Sequence, residues 1–438
     1  WIEEVLNKTA AQAMDNITVS GGNEIVRYYI NLGYSSQTGL FKEDPEYKYD
    51  TNTRSDRYNF RATTDVNITK NLLLNLSLGA IFQDKTFPGI PSNEIFRAIR
   101  QNSPISMPVR NPDGTPGSGA SGIILNPWAL STQSGYTKWF QSTIQSTANI
   151  SWDLSKLITQ GLSVASKLSF DTYMTNEAVR TISYGMKRYL GTDIDGVDQY
   201  NTIREQGTMG YSHLDGSNRT YYIDLSLNYA RSFGRHDVSG MILLNRRDYK
   251  DLTASSTLFN LPYRHQGVAG RFTYAYGARY FGEFNFGYNG SENFPKGKRY
   301  GFFPSASIGW NITGESFIPE SVKRIVSLKL RASYGLAGND QIQSDRFLYI
   351  STVNYSWGAR FGLNQQDFPG IFEEKIGADV TWEKSYKSNF GFDLKLFGDL
   401  LTLQADWFSE DRKDILLSRG TIPIVTGIRA ATWANLGE

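Results

Sequence analysis

The run GSGASG at 117–122 has the glycine spacing with which a backbone approaches a pyrophosphate. That chemistry needs a strand before it and a helix after it, whereas NPDGTP precedes this run and IILNPW follows, so it reads as a flexible loop. Asp193, Asp195 and Asp198 in TDIDGVD carry the oxygen ligands that calcium takes, but the closing glutamate of an EF-hand loop is missing and an Asp-Gly turn accounts for the same residues. The sequence leaves calcium open at that point. His213, His236 and His265 are scattered without a ligand partner at helical or strand spacing, and Cys 0 removes thiolate sites and disulfides, so no histidine- or thiolate-centred metal site is expected. G-x-S-x-G, H-E-x-x-H and the P-loop are all absent, so no catalytic residue and no cofactor is expected and nothing argues for an enzyme. The remaining candidates are aromatic. NPWALSTQSGY at 126–136 and NYSWGARFGLNQQDFPG at 354–370 set flat rings beside amides and a carboxylate, a combination that suits sugar rings and peptides alike. Asn126, Trp128 and Tyr136, with Trp357 and Asp367, are therefore candidates for a ligand cavity or a partner interface; the competing reading is that these aromatics pack their own loops.

The elements that would position them are strands. In RFTYAYGARYFGEFNFGYNG, 271–290, Phe272, Tyr274, Tyr276, Tyr280, Phe284, Phe286 and Tyr288 take one parity, and Arg271, Thr273, Arg279, Glu283, Asn285 and Asn289 take the other. Successive side chains of a strand point to opposite faces, so this is a hairpin turning at Gly277 and Ala278, aromatic on one face and charged on the other. Similar alternation predicts strands at 17–22, 26–35, 59–68, 72–78, 140–152, 161–174, 219–231, 236–248, 266–276, 279–290, 303–314, 326–336, 386–397 and 400–409, about fourteen in all. The connections alternate in length. Gly22–Glu24, Thr69–Lys70, Asp153–Gln160, Ser232–Arg235, Gly277–Ala278, Glu315–Ile325 and Gly398–Asp399 are short, and 36–55, 84–139, 175–218, 249–265, 291–302 and 337–385 are long. Short turns at one rim and long loops at the other are the pattern of an all-β, transmembrane antiparallel β-barrel, with short periplasmic turns and long extracellular loops. Soluble sandwiches and propellers do not sort loop length by parity in this way.

Composition agrees. Aromatic residues make up 14% of the chain, yet mean hydropathy is only -0.40, because in a barrel each lipid-facing residue is followed by a polar one facing the lumen. No run of about 18 apolar residues exists, which excludes a helical membrane protein. Lys+Arg 45 against Asp+Glu 43 leaves +2, so no basic surface for nucleic acid is implied. A cation pointing at the bilayer midplane costs roughly 2–4 kcal/mol, so the charged parity must face the lumen. Arg271, Glu283, Lys329, Arg331, Asp393 and Lys395 take that parity, while Phe284, Phe286, Leu330, Phe392 and Leu403 are expected to face lipid. Fourteen open strands would leave edge N–H and C=O groups in hydrocarbon, so further strands are expected, and the chain is read as an internal piece that stops inside a strand starting near Arg429.

The stretch LPYRHQGVAGRFTYAYGARYFGEFNFGYNGSENFPKGKRYGFFPSASIGWNITGESF, 261–317, resembles the middle of the SusC/RagA-type TonB-dependent outer-membrane transporters of Bacteroidetes. ITVSGGNEIVRYYINLGYSSQTGLFK at 17–42, LKLRASYGLAGNDQI at 328–342 and TWEKSYKSNFGFDLKLFGDLLTLQADWFSEDRKDILL at 381–417 resemble the same family in order. The resemblance implies a 22-stranded barrel in the full protein, of which 1–438 is a partial barrel domain, with the N-terminal plug, the TonB box and the last barrel strands outside this chain. It implies that the lumen residues named above face the plug. It further implies active import of oligosaccharides or oligopeptides across the outer membrane, with a SusD-like surface lipoprotein as partner, energy from the TonB complex through the missing N-terminal part, and room for a dimer of transporter–lipoprotein pairs. The alternatives are a siderophore or cobalamin receptor of the same superfamily or, from another class, a barrel adhesin or hydrolase. Glycan and peptide are not separable, because loop aromatics, Asn and Asp serve both.

Overall fold

The computed structural model describes residues 1–438 other than 48, 104, 120–124, 342–345, 399, 421, 422, 424 and 426–431, which include the second half of the GSGASG run and Arg429. The strands are β1 (Gln12–Gly22), β2 (Val26–Thr38), β3 (Arg54–Thr69), β4 (Leu72–Pro88), β5 (Gly135–Asp153), β6 (Leu162–Thr181), β7 (Met186–Thr192), β8 (Asp198–Arg204), β9 (Gly210–Phe233) and β10 (His236–Asp251). They continue with β11 (Tyr263–Tyr276), β12 (Tyr280–Ser291), β13 (Tyr300–Asn311), β14 (Val326–Asn339), β15 (Thr352–Phe361), β16 (Gln366–Lys375), β17 (Glu383–Leu396), β18 (Leu401–Lys413), β19 (Ile415–Arg419) and β20 (Thr432–Gly437). Fourteen of them form one antiparallel sheet in the order β1-β2-β3-β4-β5-β6-β9-β10-β11-β12-β13-β14-β17-β18. These are the fourteen segments that alternation picks out. No helix among the described residues is long and apolar enough to cross a membrane.

Register explains why alternation is so legible. Phe272 lies opposite Phe284, Arg271 opposite Asn285, and Thr273 opposite Glu283, so each parity class of one strand meets its own class on the next. The same even face continues through Gly240 and Val238 of β10 and through Ala306 and Trp310 of β13. The β11–β12 turn closes on Gly277 and Ala278, both at positive φ (57° and 56°), the twist that a two-residue hairpin needs. Further round, Leu330 lies opposite Phe392, and Leu394 opposite Leu403, while Lys329 lies opposite Asp393, which keeps apolar and charged rows apart. Phe284, Leu330 and Leu403 are exposed on the apolar face, where lipid is the partner they lack in water.

The structure departs from the sequence reading in its lengths. A strand of about 9–11 residues spans the bilayer, yet β9 has 24 and β6 has 20. The upper halves of these strands therefore stand beyond the membrane and shorten the loops. At the other rim the strand expected over 303–314 stops at Asn311, because a 3-10 turn over Ile312–Gly314 takes over. There the carboxylate of Glu315 accepts from Trp310 Nε1 at 3.0 Å and Arg279 Nη1 at 3.1 Å, tying two neighbouring turns together.

The long connections hold secondary structure of their own, helices α2 (Ser92–Gln101), α3 (Pro127–Thr132) and α4 (Thr257–Asn260) and the hairpins β7–β8 and β15–β16, while α1 (Ile2–Val5) precedes β1 and the hairpin β19–β20 follows β18. The segment over 432–437 is thus a strand, but it pairs with β19 in a separate hairpin, Arg419 opposite Thr432, and not with the main sheet.

Candidate functional site

Two places collect polar or aromatic side chains: the inner face of the sheet and the folded cap above it. On the inner face Arg271 meets Glu283 at 3.0 Å, and Asn285 donates to the same carboxylate at 2.8 Å. Arg331 bridges Asp393 at 3.3 Å and Asp406 at 2.8 Å. Lys329 stands 4.7 Å from the centre of the Phe281 ring, and Lys395 lies opposite Ser327 and Thr402. A cavity of about 1030 Å³ opens on this face, lined among others by Ser239, Thr273, Glu283, Lys329, Arg331 and Asn389. Pairs as open to solvent as these contribute roughly 0–1 kcal/mol each, so they are poor cement. What they provide is a ladder of oriented donors and acceptors against which a polar body can dock.

The cap is a small protein in itself. Val5, Phe41, Ile95, Ala98, Trp128, Ala129, Leu130, Tyr184 and Met186 form one core, drawn from α1, α2, α3 and the connections after β2 and β6. A second core joins Phe294, Leu348, Val380, Trp382 and Leu416. The candidates named from sequence fall at different depths. Asn126 is fully buried (0% exposed) as the N-cap of α3: its Oδ1 accepts from the backbone N of Trp128 at 3.1 Å and Ala129 at 3.2 Å, and its Nδ2 donates to the carbonyls of Val109 at 2.9 Å and Gly117 at 3.1 Å. Trp128 is 3% exposed, with the Arg110 guanidinium 3.9 Å from its ring centre. Arg110 in turn faces the buried Asp44 at 3.7 Å, which also accepts from Gln133 at 3.0 Å. Neither Asn126 nor Trp128 offers a free face to a ligand, because a connection of this length closes over its own apolar residues. Both shape the cap from within.

Tyr136 is half-buried, its ring 5.4 Å from that of Tyr49 and 5.3 Å from the Arg180 guanidinium. Asp367 lies on β16, paired with Arg360 at 2.6 Å, its side chain 75% exposed. Trp357 lies on β15 opposite Gly370, and its side chain is outside the described residues. Among the described residues no contact joins Asn126, Trp128 or Tyr136 to Asp367.

Asp193 makes the turn of the β7–β8 hairpin, accepting from the backbone N of Asp195 at 3.0 Å and Val197 at 2.8 Å and from Gln199 at 2.8 Å. Asp198 accepts from Tyr189 at 3.0 Å and Thr192 at 2.8 Å. These carboxylates are committed to the hairpin, and no cluster of three or more acidic or histidine side chains suited to a metal occurs among the described residues.

Sequence reasoning missed the residues that fasten the cap to the barrel. Arg346, 2% exposed, donates to the carbonyls of Leu258 at 3.2 Å and Pro262 at 3.0 Å and to that of Leu261, and lies 3.4 Å from the Tyr263 ring centre. Asp340 meets His265 at 2.8 Å, and its backbone carbonyl accepts from Asn293 at 3.0 Å. Burial alone would raise the Asp340 carboxyl, but hydrogen bonds from His265 and Ser291 outweigh it and hold it below the ordinary carboxylate value. Both contacts link segments some 75–88 residues apart, so no local spacing reveals them.

No protein-family model matches the chain. Over 472 aligned positions it is 24% identical to TonB-dependent receptor P3 of Formosa agariphila, covering 100% of this chain and 43% of that receptor. It is 29% identical over 170 residues to TonB-dependent receptor SusC of Bacteroides thetaiotaomicron, covering 39% of this chain and 17% of SusC. The chain is thus similar along its whole length to TonB-dependent receptors. It spans less than half the length of these curated relatives. The fold matches the RagAB peptide importer with a TM-score of 0.68 at 17% identity, over 100% of this chain and 48% of that one. It matches the siderophore receptor PirA of Acinetobacter baumannii less closely, with a TM-score of 0.51 at 10% identity, over 98% and 55%. The sheet accordingly has the fold of an outer-membrane β-barrel portion, and the proteins it resembles are named as receptors and importers.

Proposed function

We propose that the full-length protein is a TonB-dependent active importer of oligomeric nutrients, oligosaccharide or oligopeptide, working with a SusD-like surface lipoprotein. The observation that carries this is the end-to-end fit to the peptide importer, 0.68 in TM-score, against 0.51 for the siderophore receptor. The folded cap supports it. Ordering a loop costs about 1–2 kcal/mol per residue, and two apolar cores offset that cost only where a defined surface is needed above the barrel. In this reading Arg271, Glu283, Lys329, Arg331, Asp393 and Lys395 face an N-terminal plug, residues 1–438 are a partial barrel domain completed by further strands, and Tyr136 and Asp367 lie toward the ligand or lipoprotein.

The test is growth on oligomeric substrate with and without TonB, alongside purification of the tagged receptor from membranes. Growth should vanish without TonB, and a lipoprotein encoded beside the receptor should co-purify. Growth that survives TonB deletion removes active import; iron-chelate uptake with no lipoprotein partner returns the siderophore reading.

A further inference from the structure

The outward face of β9, β10 and β11 is apolar as far as Leu225 and Leu244, and the rows above it, beginning with Arg246 opposite Ile223, are mostly basic. In register and parity, Arg219, Arg246, Lys250 and Arg264 share that outward face with the exposed Leu225, Ile223 and Leu244. Their height is fixed by the strands: a tilted strand climbs about 2.6 Å per residue, so Arg246, ten residues above His236, lies about 26 Å up, at the border of an apolar band about 25 Å tall. Arg264 and Lys250 stand one to two residue pairs higher on the long-loop side. These cations point at the headgroup layer, not at hydrocarbon.

Their mutual arrangement is unfavourable without an anion. Lys250 lies directly opposite Arg219, and like charges at opposed positions of a sheet repel. Neither Lys250 nor Arg246 has a carboxylate partner among the described residues. Arg219 leans toward the Tyr221 ring at 5.4 Å, and its Nε is buried without a hydrogen-bond partner. Arg264 alone is neutralised, by Asp248 at 2.9 Å with Glu292 at 3.9 Å. Other outward-face charges have partners, as Arg54 with Asp56 at 2.7 Å and Lys384 with Asp414 at 2.9 Å, although Lys384 also lies opposite Lys413. Between these cations lies a cavity of about 480 Å³ whose lower wall is Leu168, Tyr221 and Ile223 and whose lining also holds Asp248, the carboxylate already taken by Arg264. Charge above and hydrocarbon below match a lipid whose phosphate meets the cations while its chains run down the sheet.

We propose that Arg219, Arg246 and Lys250 form a binding site for a phosphorylated lipid headgroup of the outer leaflet. The site uses the barrel's outer wall and is independent of what the lumen transports. It gives the strands under the β10–β11 connection a fixed depth in the membrane, which orients the cap held there by Arg346.

The experiment uses the full-length receptor in phosphatidylcholine nanodiscs carrying diphosphoryl lipid A or the same lipid after dephosphorylation, with bound lipid counted by native mass spectrometry. A surface cation contributes about a five-fold gain toward anionic lipid, so the triple variant R219Q/R246Q/K250Q should lose on the order of a hundred-fold in retention of the phosphorylated lipid. R247Q, at the same height on the inner face, should retain it as the unmutated protein does. The dephosphorylated lipid should bind both weakly. Equal retention by the triple variant, equal loss in R247Q, or equal binding of dephosphorylated lipid overturns the site. Inorganic phosphate binding as tightly as the lipid overturns the lipid assignment in favour of a free-anion site. Heat-modifiability checks folding; should the triple variant fail it, R246Q alone is read in the same assay, with about a five-fold loss expected and no loss refuting.

Discussion

Trp128→Ala separates a binding aromatic from a structural one. The ring is 3% exposed, packed in the core with Val5, Phe41, Ile95 and Met186 and covered by Arg110. Replacing a buried Trp or Phe with Ala costs about 3–5 kcal/mol through lost transfer energy and the cavity left behind. Loss of the cation–π contact adds about 0.5–2 kcal/mol more, and leaves Arg110 only its longer approach to Asp44. None of this is shared with the sheet, whose ladder from β4 to β5 runs unbroken from Leu72–Trp152 to Pro88–Tyr136. The damage should therefore stay in the cap. Amides of 126–134 should exchange on the order of a hundred- to several-thousand-fold faster, while those of β4 and β5 keep their protection and the protein keeps its heat-modifiable mobility. Hydrogen exchange with mass spectrometry in nanodiscs reads both regions at once. Unchanged exchange at 126–134 would show that the loop does not depend on this core, and loss of protection in β4 and β5 in step with it would show that cap and barrel open as one unit.

Phe286→Arg places a cation about 16 Å above the β11–β12 turn on the lipid face, near mid-membrane, and should cost roughly 2–4 kcal/mol and impair assembly in a heat-modifiability assay, whereas Asn285→Arg, beside Glu283 on the lumen face, should assemble normally. Arg346→Met keeps the stem but leaves the carbonyls of Leu258, Leu261 and Pro262 without their donor, so proteolysis within 346–382 should accelerate while the barrel core resists. The Asp340 carboxyl is held below its ordinary value, so the folded state favours its charged form; the clamp to His265 contributes fully above the unfolded value of 3.8 and is lost as pH falls through the lower folded value. Exchange of the 340–382 amides should accordingly rise on acidification below about pH 3.8, and Asp340→Asn should abolish that dependence.

The barrel was legible in the sequence because each of its strands is a local statement. A bilayer on one side and a polar lumen on the other impose period 2 on each segment, so Phe272, Phe284 and Arg271, Glu283 reveal their faces without knowledge of any partner strand. Turn length reports the rim in the same local way. The helix α2 also left a signal, Ile95, Ala98 and Ile99 at helical spacing after Pro91 and Ser92, but it sat inside a stretch read as connection.

The cap was not legible. Trp128 and Asn126 look alike whether they face a ligand or a core, since an aromatic and an amide suit both, and only the arrival of Val5, Phe41 and Met186 from distant segments decides that they are buried. His265 has no partner at any local spacing because Asp340 reaches it from 75 residues away. The unpaired cations of β9 and β10 needed the same information: each sits in an ordinary strand, and it is the register, setting Lys250 opposite Arg219 on the outward face, that turns scattered basic residues into a site. Periodicity is set by each segment's solvent, one residue at a time; juxtaposition is set by the closure of long loops and by strand register, which no single segment contains.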